Sequence, residues 1–561
     1  MIISNKKHIQ QLASVLLAKG ITDIVISPGS RNGPLIHTLA GSSLFNCRSI
    51  VDERSAAYFA IGLAQAIQKP VAIVCSSGTA ALNYTPAVAE AFYLNVPLIV
   101  LTADRPDYWT DQAESQCIRQ IGIYNNFTKK QVSLPLGESE KELWLAEREI
   151  NQCLNLAVSG TPAPVHINIP LEEPLHDLLD TSLPKVKVIE QAETVSSLHQ
   201  NTIEILTETY NQAKKVLILA GQQVPNPGLE NLLAELAEKT DAVVLKEHLA
   251  NLDDPQFCSN IDTMMAAILE GNPEDFQPEL IISFGGQFVS KSLKQFLRKN
   301  KASQHWYLSL SNEHFDTYQS LTRVVNMDAA DFFELLLPKL KANNKDFLQL
   351  WKNKEVQVIE LLDKFISETT FSDLTVFEDI RKAIPENSVV HLGNSSPVRY
   401  ALICDSVPNV HYLSNRGTSG IDGSLSTAVG FASESEKINT VIIGDLSFFY
   451  DSNALWNKYI GTNLRIIVIN NRGGNIFSLI KGPGDSPAFQ EHFFTENRFK
   501  AEGLAHAFGL DYFKAENREE FKKALAEFYS SKQQSPALLE VFTDAEVNTE
   551  TFRGLFKFVK Q

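Results

Sequence analysis

Two stretches decide the reading of this chain: Thr440-Val441-Ile442-Ile443 closing on Gly444-Asp445-Leu446-Ser447, and Leu464-Arg465-Ile466-Ile467-Val468-Ile469 closing on Asn470-Asn471-Arg472-Gly473-Gly474. Each is a short apolar run of the length of a buried parallel strand, and each hands over to small and polar residues. Open α/β sheets bind ligands at such carboxyl ends. Ahead of a helix expected over Tyr450 to Ile460, the Leu446-Ser447 turn offers backbone amides that favour a phosphate. The Asp445 carboxylate, the Asn471 amide oxygen and the carbonyls of Gly473 and Gly474 are hard oxygen donors, suited to a divalent cation beside diphosphate oxygens. A strand ending in Gly-Asp is common among α/β proteins when taken alone, so the rest of the chain has to decide.

The 561 residues suffice for about three domains, and 44% hydrophobic with 21% charged residues is a globular composition. A formal charge of -16 argues against broad binding to nucleic acid or anionic membrane, so an anionic ligand must meet a local basic cluster. The six cysteines (Cys47, Cys75, Cys117, Cys153, Cys258 and Cys404) form no CxxC pair, which fits a reducing cytoplasm. Met1 to Gly20 reads as a polar start and an amphipathic helix without a signal-peptide core, and no apolar run approaches a membrane span; the protein is expected to be cytoplasmic. The Walker A loop and the HExxH helix are both absent.

Val/Ile-rich runs alternate with longer helical patterns: Ile24 to Ile26, Val71 to Cys75, Leu98 to Leu101, Val165 to Ile169, Val216 to Ala220, Ala242 to Leu245 and Leu280 to Phe284. This is βαβ grammar, hence an α/β protein of parallel sheets covered by helices. The stretches Leu175 to Gln200 and Lys339 to Asp373 lack it and read as linkers, giving three doubly wound domains over 1–180, 200–340 and 370–561. The first and third domains repeat each other. The loop Ser27-Pro28-Gly29-Ser30-Arg31 matches Gly393-Asn394-Ser395-Ser396, and Val51-Asp52-Glu53-Arg54 matches Ser414-Asn415-Arg416-Gly417. Likewise Ser76-Ser77-Gly78-Thr79 matches Gly444 to Ser447, and Thr102-Ala103-Asp104-Arg105 matches Asn470 to Gly473. Four loops in the same order at similar spacing indicate a duplication with every loop at a strand end. In the second loop, Glu53 opens a segment of small residues (Ala56, Ala57, Ala60, Gly62, Ala64) that allows close helix packing, and Asp52 is its natural control.

The Gly444-Asp445 and Asn470-Asn471 pairs resemble the thiamine diphosphate fingerprint, with Leu446 where the usual form has a second Gly. The duplicated pair around a middle domain resembles the pyruvate-oxidase-like branch of these enzymes over essentially the whole chain. The resemblance implies a pyrimidine-binding first domain, a diphosphate-binding third domain, and a homodimer or homotetramer whose active site lies at the subunit interface. Glu53 to Ala64 fits the branch pattern Glu-x-x-Ala-x-x-x-Ala-x-Gly-x-Ala. Glu53 would then be the catalytic carboxylate that hydrogen-bonds the aminopyrimidine and drives its imino tautomer, a task suited to a low-dielectric cleft. The resemblance further implies Asp445, Asn471 and the Gly473 carbonyl as ligands of Mg2+ (or Mn2+). Gly393, Ser395, Gly444, Leu446, Ser447, Ile476 and Phe477 would contact the cofactor, although Phe477 reads equally as an ordinary apolar core residue.

Four further motifs narrow the resemblance: Ser27 to Arg31, Thr102 to Pro106, Gly393 to Arg399 and Ser414 to Gly423. In that order they resemble the 2-succinyl-5-enolpyruvyl-6-hydroxy-3-cyclohexene-1-carboxylate synthase family, the carboligases of menaquinone biosynthesis, whose signature also carries Leu at the position of Leu446. The family joins 2-oxoglutarate to isochorismate with loss of CO2. Both substrates are dicarboxylates, and Arg31, Arg105, Arg399 and Arg416 lie on the loops expected to meet them; a guanidinium binds carboxylate bidentately and stays charged when partly buried. Gln116 matches a family glutamine near the reacting carbon, and Lys291 offers a further cation from the middle domain. Arg31-Asn32-Gly33 departs from the frequent Arg-Ser-Ala, and Ser292 replaces an arginine found in some members. The rivals are another thiamine diphosphate decarboxylase or ligase acting on smaller acids, and a non-catalytic nucleotide-binding scaffold. The glycines at Gly221 and Gly285-Gly286 form no full GxGxxG, so dinucleotide binding there is a weak alternative.

Overall fold

The Val216–Ala220 strand sends Val216, Ile218 and Ala220 into one apolar cluster and Leu217 and Leu219 into another, so both faces of its sheet are covered. The Leu280–Phe284 strand divides the same way, with Leu280, Ile282 and Phe284 on one side and Ile281 on the other. This is what an unbroken apolar run means in a parallel sheet. The computed structural model describes all residues except 193–195, 312, 343–345, 480–481, 531–533 and 561. Parts of the two expected linkers, 193–195 and 343–345, lie outside the described residues.

Three sheets carry the chain. The first has six strands, in chain order Asp23–Ile26, Asn46–Ser49, Val71–Cys75, Leu98–Asp104, Gln131–Ser133 and Val165–Pro170. Their spatial order is second, first, third, fourth, sixth, fifth. The last sheet has Val389–Leu392, His411–Leu413, Asn439–Gly444, Leu464–Asn470, Asp511–Ala515 and Ala537–Phe542 in the same spatial order. The duplication read from four loops is therefore a duplication of topology, and the loops follow the first four strands of each sheet. Between them in the sequence comes a parallel sheet of five strands, ordered Val243–Lys246, Val216–Ala220, Leu280–Phe284, Gln304–Leu308, Arg323–Val325.

Contact density gathers the N-terminal sheet with Asn415–Glu436 and Phe449–Leu464 into one compact unit, and the middle and C-terminal sheets into another. In the first unit the Glu53–Ile67 helix packs on the Ser424–Ala432 helix. Glycine makes this possible: a Cβ on Gly62 would stand 1.8 Å from the Thr427 carbonyl oxygen, and one on Gly430 2.0 Å from that of Phe59.

Two details differ from expectation. The helix expected over Tyr450 to Ile460 instead spans Asp445–Tyr450, followed by a 3-10 turn over Ser452–Leu455. Asp451 turns the chain, because its buried carboxylate accepts from the amide and the hydroxyl of Ser426, both at 2.7 Å. Within the first expected linker, Leu178–Asp180 pairs antiparallel with Ile2–Ser4. The second contains a helix, Asp346–Glu368, whose Trp351 is buried edge-on against Phe276.

Candidate active site

The Asn439–Gly444 strand delivers Asp445 into the protein interior, 2% exposed, where its Oδ2 accepts from Asn497 Nδ2 at 3.0 Å. The next strand delivers two asparagines with different tasks. Asn470 donates to the buried Glu540 at 2.7 Å and accepts from the Arg472 amide, which makes it a structural tie. Asn471 donates from Nδ2 to Asp373 Oδ2 at 3.0 Å, which leaves its amide oxygen for another partner. Asp373 also accepts from Thr543 Oγ1 at 2.6 Å, and its amide donates to Asn548 Oδ1. After Arg472, at φ 65°, the chain bends through Gly473, at φ 153°, where any Cβ would lie 2.6 Å from the Phe494 carbonyl oxygen.

Two buried carboxyls set the electrostatics of this strand end. Burial pushes the Asp445 carboxyl up to about 7, with the Asp373 charge adding to the shift and bonds from Asn497 and the Leu446 amide opposing it. Burial likewise pushes Asp373 up to about 6, against the bonds from Thr543, Asn471 and Asn548. A divalent cation would offset both. Among the described residues no group of three or more His, Cys, Asp and Glu side chains could hold a metal, so a cation here would need a mixed set of carboxylate, amide and carbonyl donors. Two further observations fit a cation-bound diphosphate. Space is open where a Cβ on Gly444 would project, so a ligand can approach this backbone closely. The Asn475 side-chain nitrogen, Nδ2, is buried without a hydrogen-bond partner among the described residues, a donor left for an anion. Ile476 and Phe477 open the Ile476–Leu479 helix and are half-buried; Phe477 meets Phe493 edge-on at 5.8 Å.

Gly393 follows the first strand of this sheet and lies against its neighbour, with a Cβ placed 3.0 Å from the Ile442 carbonyl oxygen. Ser395 holds φ 76° and ψ -122°, a strained conformation for a residue with a side chain. Its carbonyl accepts from Arg399 Nη1 at 2.8 Å. Burial lowers the Arg399 pKa and the Asp262 charge opposes this, which places Arg399 in the field of Asp262. Asp262 accepts in turn from the hydroxyls of Ser290, at 2.5 Å, and Ser292. Exposed Lys291 stands between these two serines. Ser292 thus contributes a tie to Asp262. Gly221 and Gly286 serve close packing, since a Cβ on Gly221 would lie 2.0 Å from the Gly286 carbonyl oxygen.

In the other unit, four expected residues gather at strand ends of the N-terminal sheet. Asp52 caps the helix by accepting from Ser55 N at 3.1 Å, whereas Glu53, its first residue, makes no hydrogen bond or ion pair among the described residues. The Glu53 charge reaches Cys75 and Tyr84. Tyr84 ties the loops together, donating to the Val74 carbonyl and to Ser27 Oγ. Arg31 is buried, donating to the Leu171 carbonyl at 3.0 Å and pairing with Glu173 at 3.1 Å. Burial lowers its pKa, as does the neighbouring Arg105 charge. Arg105 donates to the Ser115 carbonyl at 2.8 Å and pairs with Glu114 at 3.1 Å. Next in sequence is Gln116, exposed and at φ 52°, whose carbonyl accepts from Ser77 Oγ at 2.8 Å. Gln120 anchors the far end of this loop, accepting from the Gly78 amide and donating to the Ala103 carbonyl. The half-buried Arg416 lies in the same unit, on the loop before the Ser424–Ala432 helix.

Asp373, Asn497 and Asn475 did not emerge from the sequence. The first opens a helix behind Ser372, a position that reads as a dipole partner. Asn475 could have been suspected from its place after Gly473-Gly474; Asn497 carries no local signal.

Twin sheets of one topology, with strand-end loops carrying Glu53 on one and Asp445 with Asn471 on the other, define a thiamine diphosphate-dependent enzyme. Sequence comparison agrees. Residues 7–123 match the N-terminal TPP binding domain of thiamine pyrophosphate enzymes, 175–392 their middle domain, and 393–541 their C-terminal TPP binding domain. The chain is 39% identical over 560 residues, covering 100% of both chains, to a 2-succinyl-5-enolpyruvyl-6-hydroxy-3-cyclohexene-1-carboxylate synthase of Bacteroides thetaiotaomicron. It is 40% identical to that of Flavobacterium johnsoniae over 98% of each chain, and 39% identical to that of Desulfotalea psychrophila over 96% of this chain and 98% of the relative. The chain belongs to the 2-succinyl-5-enolpyruvyl-6-hydroxy-3-cyclohexene-1-carboxylate synthase family.

Proposed function

We propose that the protein adds the succinyl-semialdehyde unit of 2-oxoglutarate to isochorismate, releasing CO2 and forming 2-succinyl-5-enolpyruvyl-6-hydroxy-3-cyclohexene-1-carboxylate for menaquinone biosynthesis. The observation that carries this reading is the convergence of Arg31, Arg105 and Gln116 at strand ends of one sheet, in a chain of net charge -16. Two dicarboxylates need local cations, and small 2-oxo acids do not need so many.

Bound thiamine diphosphate supplies the electron sink for decarboxylation and carbon–carbon bond formation. The chain's residues have separate tasks around it. Glu53, free of the capping duty that Asp52 performs, would hydrogen-bond the aminopyrimidine when the cofactor is bound. Asp445, the Asn471 amide oxygen and the Gly473 carbonyl would hold Mg2+ or Mn2+, and Asp373 fixes the Asn471 amide by accepting from its Nδ2. Gly393, Ser395, Gly444, Leu446, Ser447, Ile476 and Phe477 line the cofactor. Arg31, Arg105, Lys291, Arg399 and Arg416 bind substrate carboxylates, and Gln116 orients the reacting unit.

The division into domains at 1–180, 200–340 and 370–561 belongs to the same proposal, as does assembly into a homodimer or homotetramer with the pyrimidine-binding domain of one copy facing the diphosphate-binding domain of another. So does a cytoplasmic location; among the described residues no helix is long and apolar enough to cross a membrane. The test is isochorismate consumption, followed by absorbance, with thiamine diphosphate, Mg2+ and 2-oxoglutarate each omitted in turn. Consumption that requires all components supports the reading. Release of CO2 from 2-oxoglutarate with isochorismate untouched overturns the choice of acceptor.

A further inference from the structure

Glu90 sits in an apolar helix, Thr85–Tyr93, among Ala87, Val88, Ala89 and Ala91, and is 1% exposed. A carboxylate so placed costs several kcal/mol unless hydrogen bonds satisfy it. Three do. One oxygen accepts from the Gly417 amide at 2.7 Å, and the other from the Thr418 amide at 2.7 Å and the Thr418 hydroxyl at 2.5 Å. Burial pushes the Glu90 carboxyl upward and these bonds pull it back.

These donors immediately follow Arg416. The residue before it, Asn415, is buried and donates from Nδ2 to Thr427 Oγ1 at 3.0 Å. A Cβ on Gly417 would lie 2.6 Å from the Glu90 carbonyl oxygen, so the loop rests directly on the helix backbone. The chain on both sides of Arg416 is therefore fixed, and the Glu90 carboxylate holds the two peptides that follow it. As a stabiliser a buried carboxylate is poor, since an apolar residue of similar volume usually does as well or better. Holding two consecutive amides in one direction is something an apolar residue cannot do.

We propose that Glu90 is a positioning residue for Arg416, fixing the loop from which its guanidinium meets a substrate carboxylate. This rests on the reading of Arg416 as a substrate-binding residue. Gln in place of Glu keeps the volume but sets an amide donor against backbone donors, so at least one bond is lost and the loop tilts.

The test is steady-state kinetics of full-length E90Q, R416A and the E90Q/R416A double variant, saturated with thiamine diphosphate and Mg2+, with 2-oxoglutarate and isochorismate varied separately. E90Q should raise the same substrate KM that R416A raises, by about tenfold, the loss typical when an orienting partner is removed. Its kcat and its thiamine diphosphate activation constant should stay within about twofold, a split that general loosening of the fold would not give. The double variant should be no worse than R416A alone. Additive losses, or an E90Q KM equal to wild type beside an R416A KM that rises, overturn the role of Glu90. An R416A enzyme with both KM values unchanged overturns the reading of Arg416 itself. Should E90Q fail to fold, T418V removes one of the three donors without touching Glu90, and an unchanged KM in that variant overturns the proposal.

Discussion

Replacing Gly62 with alanine should separate two helices and misplace Glu53. The added Cβ would stand 1.8 Å from the Thr427 carbonyl oxygen, where real Cβ contacts do not fall below 3.0 Å, so backbone must retreat by at least 1.2 Å. No side chain can yield, because the obstacle is the carbonyl of the facing helix. Overpacking of this kind costs about 1–3 kcal/mol or more. Glu53 is the first residue of the displaced helix, and a misplacement of about 1 Å at a reacting group costs up to ~100-fold in rate. Hydrogen exchange should therefore show lost protection in Glu53–Ile67 and Ser424–Ala432, with turnover down by one to two orders of magnitude at saturating cofactor. G430A meets the same interface from the other side, its Cβ 2.0 Å from the Phe59 carbonyl oxygen. Once one substitution has opened the gap the second should cost less, so the double variant should be less impaired than the product of the two single losses. A G62A protein with wild-type protection and turnover would refute the claim that glycine-mediated contact sets the position of Glu53.

Three further outcomes follow from named contacts. E53Q should lose about 10²–10⁴-fold in turnover while calorimetry still reports thiamine diphosphate binding; retained activity would remove Glu53 from the proton chemistry. D373N should raise the Mg2+ concentration that half-supports thiamine diphosphate binding by about 10–100-fold, since Asn471 loses the charge that orients its amide, and an unchanged Mg2+ demand would contradict that role. Glu247 is buried, accepts from the Val289 and Ser290 amides, and is pushed by burial from 4.5 up to about 7. Because the folded state binds this proton more tightly than the unfolded state, the stability it contributes is present below about pH 4.5 and is lost as pH rises toward 7, by about 3 kcal/mol at most. Urea unfolding of E247Q between those limits should show a flatter pH dependence than wild type, and parallel curves would refute the assignment.

The strand-end loops were legible because two regularities coincide: apolar runs mark buried parallel strands, and a duplicated sheet must repeat its loops in order. The identical strand order of the two outer sheets is the structural form of that repetition. The place of a chemically equipped side chain on a strand-end loop was legible where its own type and motif mark it, as with Asp445 or the arginines. It was not legible where a residue works by holding another. Asp373 meets Asn471 across 98 residues of sequence, and Glu90 meets Gly417 across 327. Nothing local distinguishes Asn470 from Asn471 either; the distant Glu540 takes Asn470 and Asp373 takes Asn471. The helix expected over Tyr450 to Ile460 failed for the same reason, because Ser426 captures Asp451.

Under the proposed function, the ion pairs of the N-terminal sheet explain how arginines can await a substrate inside an acidic protein. In both pairs the arginine is the more buried partner: the Arg31 side chain is 8% exposed against 66% for Glu173, and Arg105 is 18% exposed against 34% for Glu114. The guanidiniums are also fixed by backbone carbonyls, Leu171 for Arg31 and Ser115 for Arg105, so their direction does not depend on the glutamates. An ion pair with one solvated partner is worth at most about 1 kcal/mol. An arriving carboxylate that engages the planar fork bidentately can displace such a partner, while the arginine itself need not move. The glutamates thus balance two close positive charges until a dicarboxylate takes over that balance; the Arg31 pKa is lowered by burial first and by the Arg105 charge second.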